Sequence, residues 1–483
     1  MYCLLEGIEE LERKPIGACH LAGNPRCESM ASVNLWFIIA GSIFLGMALA
    51  GSYVRRLPLS AAIVYLIISV ILGPHGLALL SPNPFENPHV SQFVAEMAII
   101  VSLFGVGLKL RISLTSKRWF VPLRLASISM VITIGLVTAI AVYFLHMPLG
   151  AGILLGAIIA PTDPVLAADV QVEQPFEYEP LRFSLTGEAG FNDGTALPFV
   201  LLGLGLLGLH DLGHTGFAWV FRDLIGKTLG GLAIGAAFGF AVAHVVLYLR
   251  REYREALGLD DFLALGLVAL SYGAAEFAHV SEFLAVFAAG LALRAAERNR
   301  TGKEYPDQAG GINLTPNWRE EAATNPDVGP VYMAQSLLHF NEHLENLGEA
   351  VVVVFVGSML SPRTFSVGDL WIAIVLFFVI RPVSALAGLA GSSMPRSQLL
   401  AISWFGIRGI GSVYYLSYAI ANGVSGALAA QLTSIVYTTI AASALLHGIS
   451  VTPLMNRYEK KMHASREDSA RDASQGRKEL SGI

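Results

Sequence analysis

The sequence predicts an all-α polytopic membrane protein, and three observations predict it. Of 483 residues, 54% are hydrophobic and only 14% are charged, against roughly 25% charged residues in soluble domains, and the mean hydropathy is +0.57. The apolar residues fall in repeated stretches of about 20, long enough to cross a hydrocarbon core of roughly 30 Å as helices. Short alternating segments, the signature of a membrane barrel, do not recur.

About 13 transmembrane helices follow in order, at approximately 35–54, 59–80, 91–110, 119–145, 149–170, 181–208, 224–249, 260–278, 281–296, 347–361, 369–391, 397–421 and 430–452. A tight turn near His279 to Glu282 separates the eighth and ninth, and 347–361 is a short span. Basic residues set the expected orientation. With the N-terminus outside, the cytoplasmic connections carry Arg55 and Arg56, then Lys109, Arg111, Lys117 and Arg118, then Arg250, Arg251 and Arg254, then Arg294, Arg298, Arg300 and Lys303. The connections near 81–90, 145–149, 279–282 and 422–428 hold no Lys or Arg. The alternation predicts a multi-pass protein of the cell (inner) membrane with its C-terminus in the cytoplasm.

Residues 1–32 read as a disordered N-terminal extension, 33–455 as the membrane domain with a polar cytoplasmic loop at 297–346, and 456–483 as a cytoplasmic tail, disordered or a short surface helix. All three cysteines, Cys3, Cys19 and Cys27, lie in the extension. The membrane body therefore has no disulfide or thiol chemistry, and Cys19, His20 and Cys27 lack the paired spacing of a metal site. The extension has no signal-peptide pattern; Met30 reads as the biological start, which N-terminal sequencing of native protein tests. The net charge is -5, and no basic run interleaved with aromatics points to nucleic acid.

Ionisable side chains at membrane depth carry the functional signal. Asp163, Glu188, Asp193, Arg381 and Arg408 all fall inside expected spans. At about 2.5–3.5 kcal/mol each against lipid, five cost on the order of 12–17 kcal/mol, so they must pair or line a wet cavity. In the fifth span, Pro161 and Pro164 flank Thr162 and Asp163. They remove two backbone donors and break the helix, which frees carbonyls beside an acid as in cation-coordinating transporters; a plain proline kink capped by Asp163 is the alternative. In the sixth span, Glu188 and Asn192 share a helical face, whereas Asp193 lies roughly 140° from Glu188. One carboxylate can then form a structural pair while the other stays available. In the twelfth span, Gly406, Gly409 and Gly411 surround Arg408. If the seventh span links two six-helix halves, the fifth and twelfth spans are equivalent, and both are interrupted. That is the pattern of two inverted repeats whose broken helices cross at the midplane. Arg408 then offsets carbonyl ends, unless it snorkels to an interface. Arg381, before Pro382, offers a cation to Glu188. Asp169 and Glu276 fall near membrane ends, and His210 and His214 in an outer loop.

At these residues the sequence resembles the cation/proton antiporter superfamily, in its NhaP-like branch related to sodium/hydrogen exchangers. The resemblance spans roughly 33–455 and rests on Pro-Thr-Asp-Pro, Gly-Glu-x-x-x-Asn-Asp-Gly and Gly-Ile-Arg-Gly in the family's order. It implies a homodimer with a dimerisation part and a moving core. It further implies that Asp193 is the ion-binding acid, Asp163 its partner and Thr162 an oxygen ligand, that Glu188 pairs with Arg381, and that Asn192 stands where other members have Asp. Many relatives place Ser after the motif Glu; here Ala189 offers no hydroxyl.

The expected activity is electroneutral exchange of a monovalent cation, Na+ or Li+, for H+, with cation and proton competing for Asp193 and Asp163. K+/H+ exchange on the same fold is the nearest alternative. A channel should show a pore loop or filter, and an intramembrane hydrolase a water-fed acid pair aimed at a substrate bond. The chain reads as a non-enzyme without cofactors, working with monovalent cations, protons and the lipid bilayer.

Overall fold

A computed structural model describes residues 61–481 apart from 75, 81, 83, 173–177, 214–215, 254–257, 303–317, 326–327 and 362–363, together with a few between 38 and 49. It divides into two compact units, Met1–Leu59 and Ser60–Ile483. The first expected span falls in the former, where isolated residues between 38 and 49 are helical. Cys3, Cys19, His20, Cys27 and Met30 lie outside the described residues.

The described residues of the second unit form helices and no strand. In chain order these are α1 (Ala61–Leu72), α2 (Pro88–Lys109), α3 (Lys117–Tyr143), α4 (Leu149–Ile159), α5 (Pro180–Leu206), α6 (Trp219–Glu252) and α7 (Asp260–Phe277). They continue as α8 (Glu282–Thr301), α9 (Trp318–Thr324), α10 (Gly329–Ser358), α11 (Val367–Gly388), α12 (Arg396–Trp404), α13 (Ile410–Ala421) and α14 (Gly426–Ser481). Five helices among the described residues are long and apolar enough to cross a membrane: α2, α3, α6, α11 and the Gly426–Met462 part of α14.

Local chemistry places several ends. Pro88 and Pro180 open α2 and α5, where a missing N–H is harmless. Glu179 accepts the Arg182 N–H at 2.6 Å, and Ser281 accepts that of Leu284 at 3.4 Å, capping α5 and α8. Gly231, Gly235 and Gly239, one turn apart on α6, lie directly against the carbonyls of Ser281, Ala285 and Ala289, so these helix backbones touch.

The polar loop expected at 297–346 is corrected. Residues 297–301 complete α8, 318–324 form α9, and 329–346 begin the long α10. The expected short span 347–361 is the second half of that same helix. Low apolar content hid an amphipathic pattern, for Val331, Ala334, Leu337, Leu338 and Asn341 recur at helical spacing and are buried. The tail is also helical, since α14 continues to Ser481. Its first turns are anchored to α5: Glu459 pairs with Arg182 at 2.5 Å, and Tyr458 donates to Glu179.

Two interruptions shape the centre. α4 stops at Ile159, and the next residues run without α-helix to the short turn Ala168–Val170. α12 stops at Trp404, and α13 starts only at Ile410. The broken segments lie side by side, joined where Asp163 N–H donates to Ile407 C=O at 2.9 Å. Beside them, α3 and α11 each contain a π-type turn, Leu125–Ser129 and Leu376–Ile380, and Thr133 donates to Ser384 between them at 2.9 Å. The π turn of α11 ends directly before Arg381, a frequent use of such turns at functional positions.

Candidate functional site

Helix breaks leave amides at one end and carbonyls at the other, and here charged side chains meet both. Asp163 meets the amides: its Oδ1 accepts from Val165 N–H at 2.8 Å and Leu166 N–H at 3.4 Å, and its Oδ2 accepts from Ile410 N–H, the first amide of α13. The positive end of the α13 dipole reinforces this cap. Arg408 meets the carbonyls at the end of α4, donating to Ala160 C=O. Arg381 does the same for α12, donating to Ile402 C=O at 3.1 Å and Phe405 C=O at 3.2 Å. Carbonyl compensation is thus shared, where the sequence had offered Arg408 alone. Arg408 is fully buried, so it does not snorkel.

Glu188 and Arg381 face each other in a buried two-pronged pair, with Nη1 to Oε1 at 2.5 Å and Nη2 to Oε2 at 2.8 Å. One turn along α5, Asn192 Nδ2 donates to Thr162 Oγ1 at 3.1 Å and reaches Glu188 Oε1 at 3.5 Å. Thr162 and Asn192 therefore bridge the first break to α5. Asp193 points elsewhere, as helical geometry requires, and lies against Gly411 on α13. It is wholly buried, and neither of its carboxylate oxygens has a hydrogen-bond partner among the described residues; Asn192 Oδ1 shares that condition. Asp163 and Asp193 are thus two buried acids of one site, the first beside Gly409 and the second beside Gly411.

Gly409 in the second break and Gly411 in the first turn of α13 make room for these acids. A Cβ at Gly409 would overlap Asp163 Oδ2, and one at Gly411 would stand 2.7 Å from Asp193 Oδ1. The arrangement presents buried oxygens of Asp193 and Asn192 without hydrogen-bond partners among the described residues, beside amides that are bonded to Asp163. Among the described residues no group of three or more His, Cys, Asp or Glu could hold a metal ion together.

The family profile described as sodium/hydrogen exchanger, transmembrane, matches residues 42–457. The chain belongs to the sodium/hydrogen exchanger family. It is accordingly a multi-pass membrane protein of a transporter family. It is similar to the K(+)/H(+) antiporter NhaP of Alkalimonas amylolytica, 24% identical over 79% of this chain and 59% of that protein. It is also similar to the Na(+)/H(+) antiporter NhaP of Pseudomonas aeruginosa, 27% identical over 63% of this chain and 65% of that protein. The chain thus spans less than two thirds of the length of both. Among solved structures, the sodium proton antiporter MjNhaP1 from Methanocaldococcus jannaschii shares the fold, with a TM-score of 0.64 over 88% of this chain and 98% of that one at 19% identity.

In this exchanger-family chain, several polar residues around the breaks went unremarked in the sequence. Tyr415 donates its hydroxyl to Asp193 C=O, and Gln171 Nε2 donates to Pro164 C=O at 2.5 Å. Neither carries a sequence signal, since an uncharged polar residue in a span is ordinary. His447 and Ser443 of α14 touch the second break. His447 did carry a signal, being an ionisable residue at membrane depth like those singled out. Asp169 and His214 lie outside the described side chains, and His210 stands beside Asp223 at 3.3 Å, away from the breaks.

Proposed function

We propose that this chain is a secondary antiporter of the cell membrane that exchanges Na+, or Li+, for H+ by competition at Asp193. The observation that carries the reading is the contrast between two buried carboxylates. Asp163 accepts three backbone N–H bonds, which supports its ionised form without any ligand. Asp193 accepts none. A carboxylate buried without donors is expensive when bare, so a proton or a cation must neutralise it. The two occupants exclude each other because they use the same oxygens. If the protein changes its open side only when Asp193 is neutralised, uptake of one from one side and release of the other to the opposite side follow as one cycle.

The remaining residues take supporting roles. Thr162 and Asn192 hold α5 against the broken segment and offer oxygens to the cation; Asp163 supplies the second negative charge, so that Na+ is held by Asp163 and Asp193 together. The Glu188 and Arg381 pair fixes α5 to α11 and α12. Residues 33–455 form the antiporter domain, built as two inverted repeats and assembled as a homodimer, with the N-terminus outside and the C-terminus cytoplasmic. A role in pH homeostasis follows from that activity.

A second reading, K+/H+ exchange, is supported by the likeness to the K(+)/H(+) antiporter NhaP of Alkalimonas amylolytica, and Ala189, which offers no hydroxyl, leaves the choice of cation open. Proteoliposomes given Na+, Li+ and K+ separately, with an internal pH dye, decide between the cations. Asp193→Asn is the test of the site: proton flux should fall to the level of empty liposomes for every cation, and retained flux would move the exchange elsewhere.

A further inference from the structure

The second break is closed from outside by two side chains of α14 that have no part in the exchange just described. At one end, Arg408 N–H donates to Ser443 Oγ at 2.8 Å. At the other, the Trp404 carbonyl, the last of α12, lies 3.2 Å from His447 Nε2. Ser443 Oγ and His447 Nδ1 are 3.2 Å apart, and both residues are buried. Donor and acceptor rules fix the direction. A carbonyl only accepts, so Nε2 carries the hydrogen. Ser443 Oγ already accepts from Arg408, which leaves its own hydrogen for the lone pair of Nδ1. A continuous chain therefore runs from Arg408 N–H through Ser443 and His447 to Trp404 C=O, around the unwound residues 405–408. Nδ1 also lies 3.1 Å from Ser443 C=O, but donating there while Nε2 stays protonated would bury a charged imidazolium beside Arg408, at a high desolvation cost. The neutral ring is the form that fits. Phe377 and Trp404 pack on it with ring centroids 5.1 and 5.9 Å away, so it stays in place.

We infer that His447, acting through Ser443, is a positioning residue for the ion site. The segment it staples carries Ile407 C=O and leads two residues on into Ile410 N–H, the two backbone groups that hold Asp163 from across the break. Loss of the staple lets that segment move, and the acid pair with it. The inference rests on the exchange reading above.

The test compares His447→Gln, whose amide donates to Trp404 and accepts from Ser443, with His447→Leu, which does neither. In proteoliposomes, His447→Gln should keep the wild-type cation KM, whereas His447→Leu should raise it about tenfold, as expected for one or two lost hydrogen bonds, with a much smaller change in maximal rate. Amide hydrogen exchange on the purified protein should show Arg408 and Ile410 less protected in His447→Leu and unchanged in His447→Gln. Wild-type KM and wild-type protection in His447→Leu would overturn the inference. If His447→Leu does not fold, Ser443→Ala and Ser443→Thr decide: the first should lose protection and affinity and the second keep them, and equal behaviour of the two overturns the proposal. Absence of wild-type flux with any cation would sink the antiport reading alone, because the amide protection still reports on His447.

Discussion

At Asp193 the decisive property is what the side chain lacks. Asp163 is equally buried, yet its oxygens are taken by amides, and Glu188 is taken by Arg381. Only Asp193 among these three acids has both oxygens open. Space beside it is as important as charge. Gly411→Ala should cut cation affinity at least about tenfold, since a Cβ 2.7 Å from Asp193 Oδ1 displaces the carboxylate or its ion by enough to lose 1.4 kcal/mol. Cation titrations of proteoliposome flux measure this, and an unchanged KM would show that the ion does not approach from the α13 side. Glu188→Gln makes a different prediction. Removing one partner from a buried pair leaves Arg381 uncompensated, at a cost of about 3–5 kcal/mol. Thermal unfolding of the purified protein should therefore drop sharply, and replacing both members by apolar residues of similar size should recover much of it.

The broken helices work as a pair because each end of each break has a fixed counter-group. Pro164 shows how the sequence arranges this. In a continuous helix its N–H would bond the carbonyl four residues back, which is Ala160; proline has none, and Arg408 takes that carbonyl instead. Pro164→Ala offers Ala160 a local donor and lets Arg408 go. Flux should fall about tenfold or more if one charged hydrogen bond of roughly 1.5–3 kcal/mol is lost, with amides of 160–167 becoming more protected as helix extends. Unaltered flux together with increased protection would mean that the break itself is dispensable. α5 contributes by spacing: positions 188 and 192 face the break and Arg381, while 193 faces α13.

For the whole molecule, the charge balance of the cycle follows from which groups can change their charge. Asn192 does not ionise, and Asp163, Glu188, Arg381 and Arg408 are each committed to fixed partners. On the proposed reading, one proton then replaces one monovalent cation. Exchange driven by a pH gradient should proceed at the same rate whether a potential is clamped at zero or imposed. An electrogenic cycle would instead respond to about 2.3 kcal/mol per charge per 100 mV, and a marked potential dependence would require a second titrating group.

The sequence by itself determined the membrane class, the helical character of the chain and five of its buried charged residues, Asp163, Glu188, Asp193, Arg381 and Arg408, because each rests on local composition and on the penalty for an ion in lipid; Arg111, Arg250 and Arg294, expected in connections, are buried as well. Pro161, Pro164 and the glycines around Arg408 announced both breaks for the same local reason. The structure decided partnership. Nothing in the spacing within α5 says that Asp163 takes three amides while Asp193 takes none, or that Arg381 serves α12 as well as Glu188, since those contacts join residues up to 247 positions apart. The helical character of 329–346 was present as an amphipathic stripe but was outweighed by its polarity. The roles of Tyr415, Gln171, Ser443 and His447 exist only once the broken segments are folded against their neighbours, because an orphaned backbone group has no address in the sequence until tertiary packing brings a side chain to it.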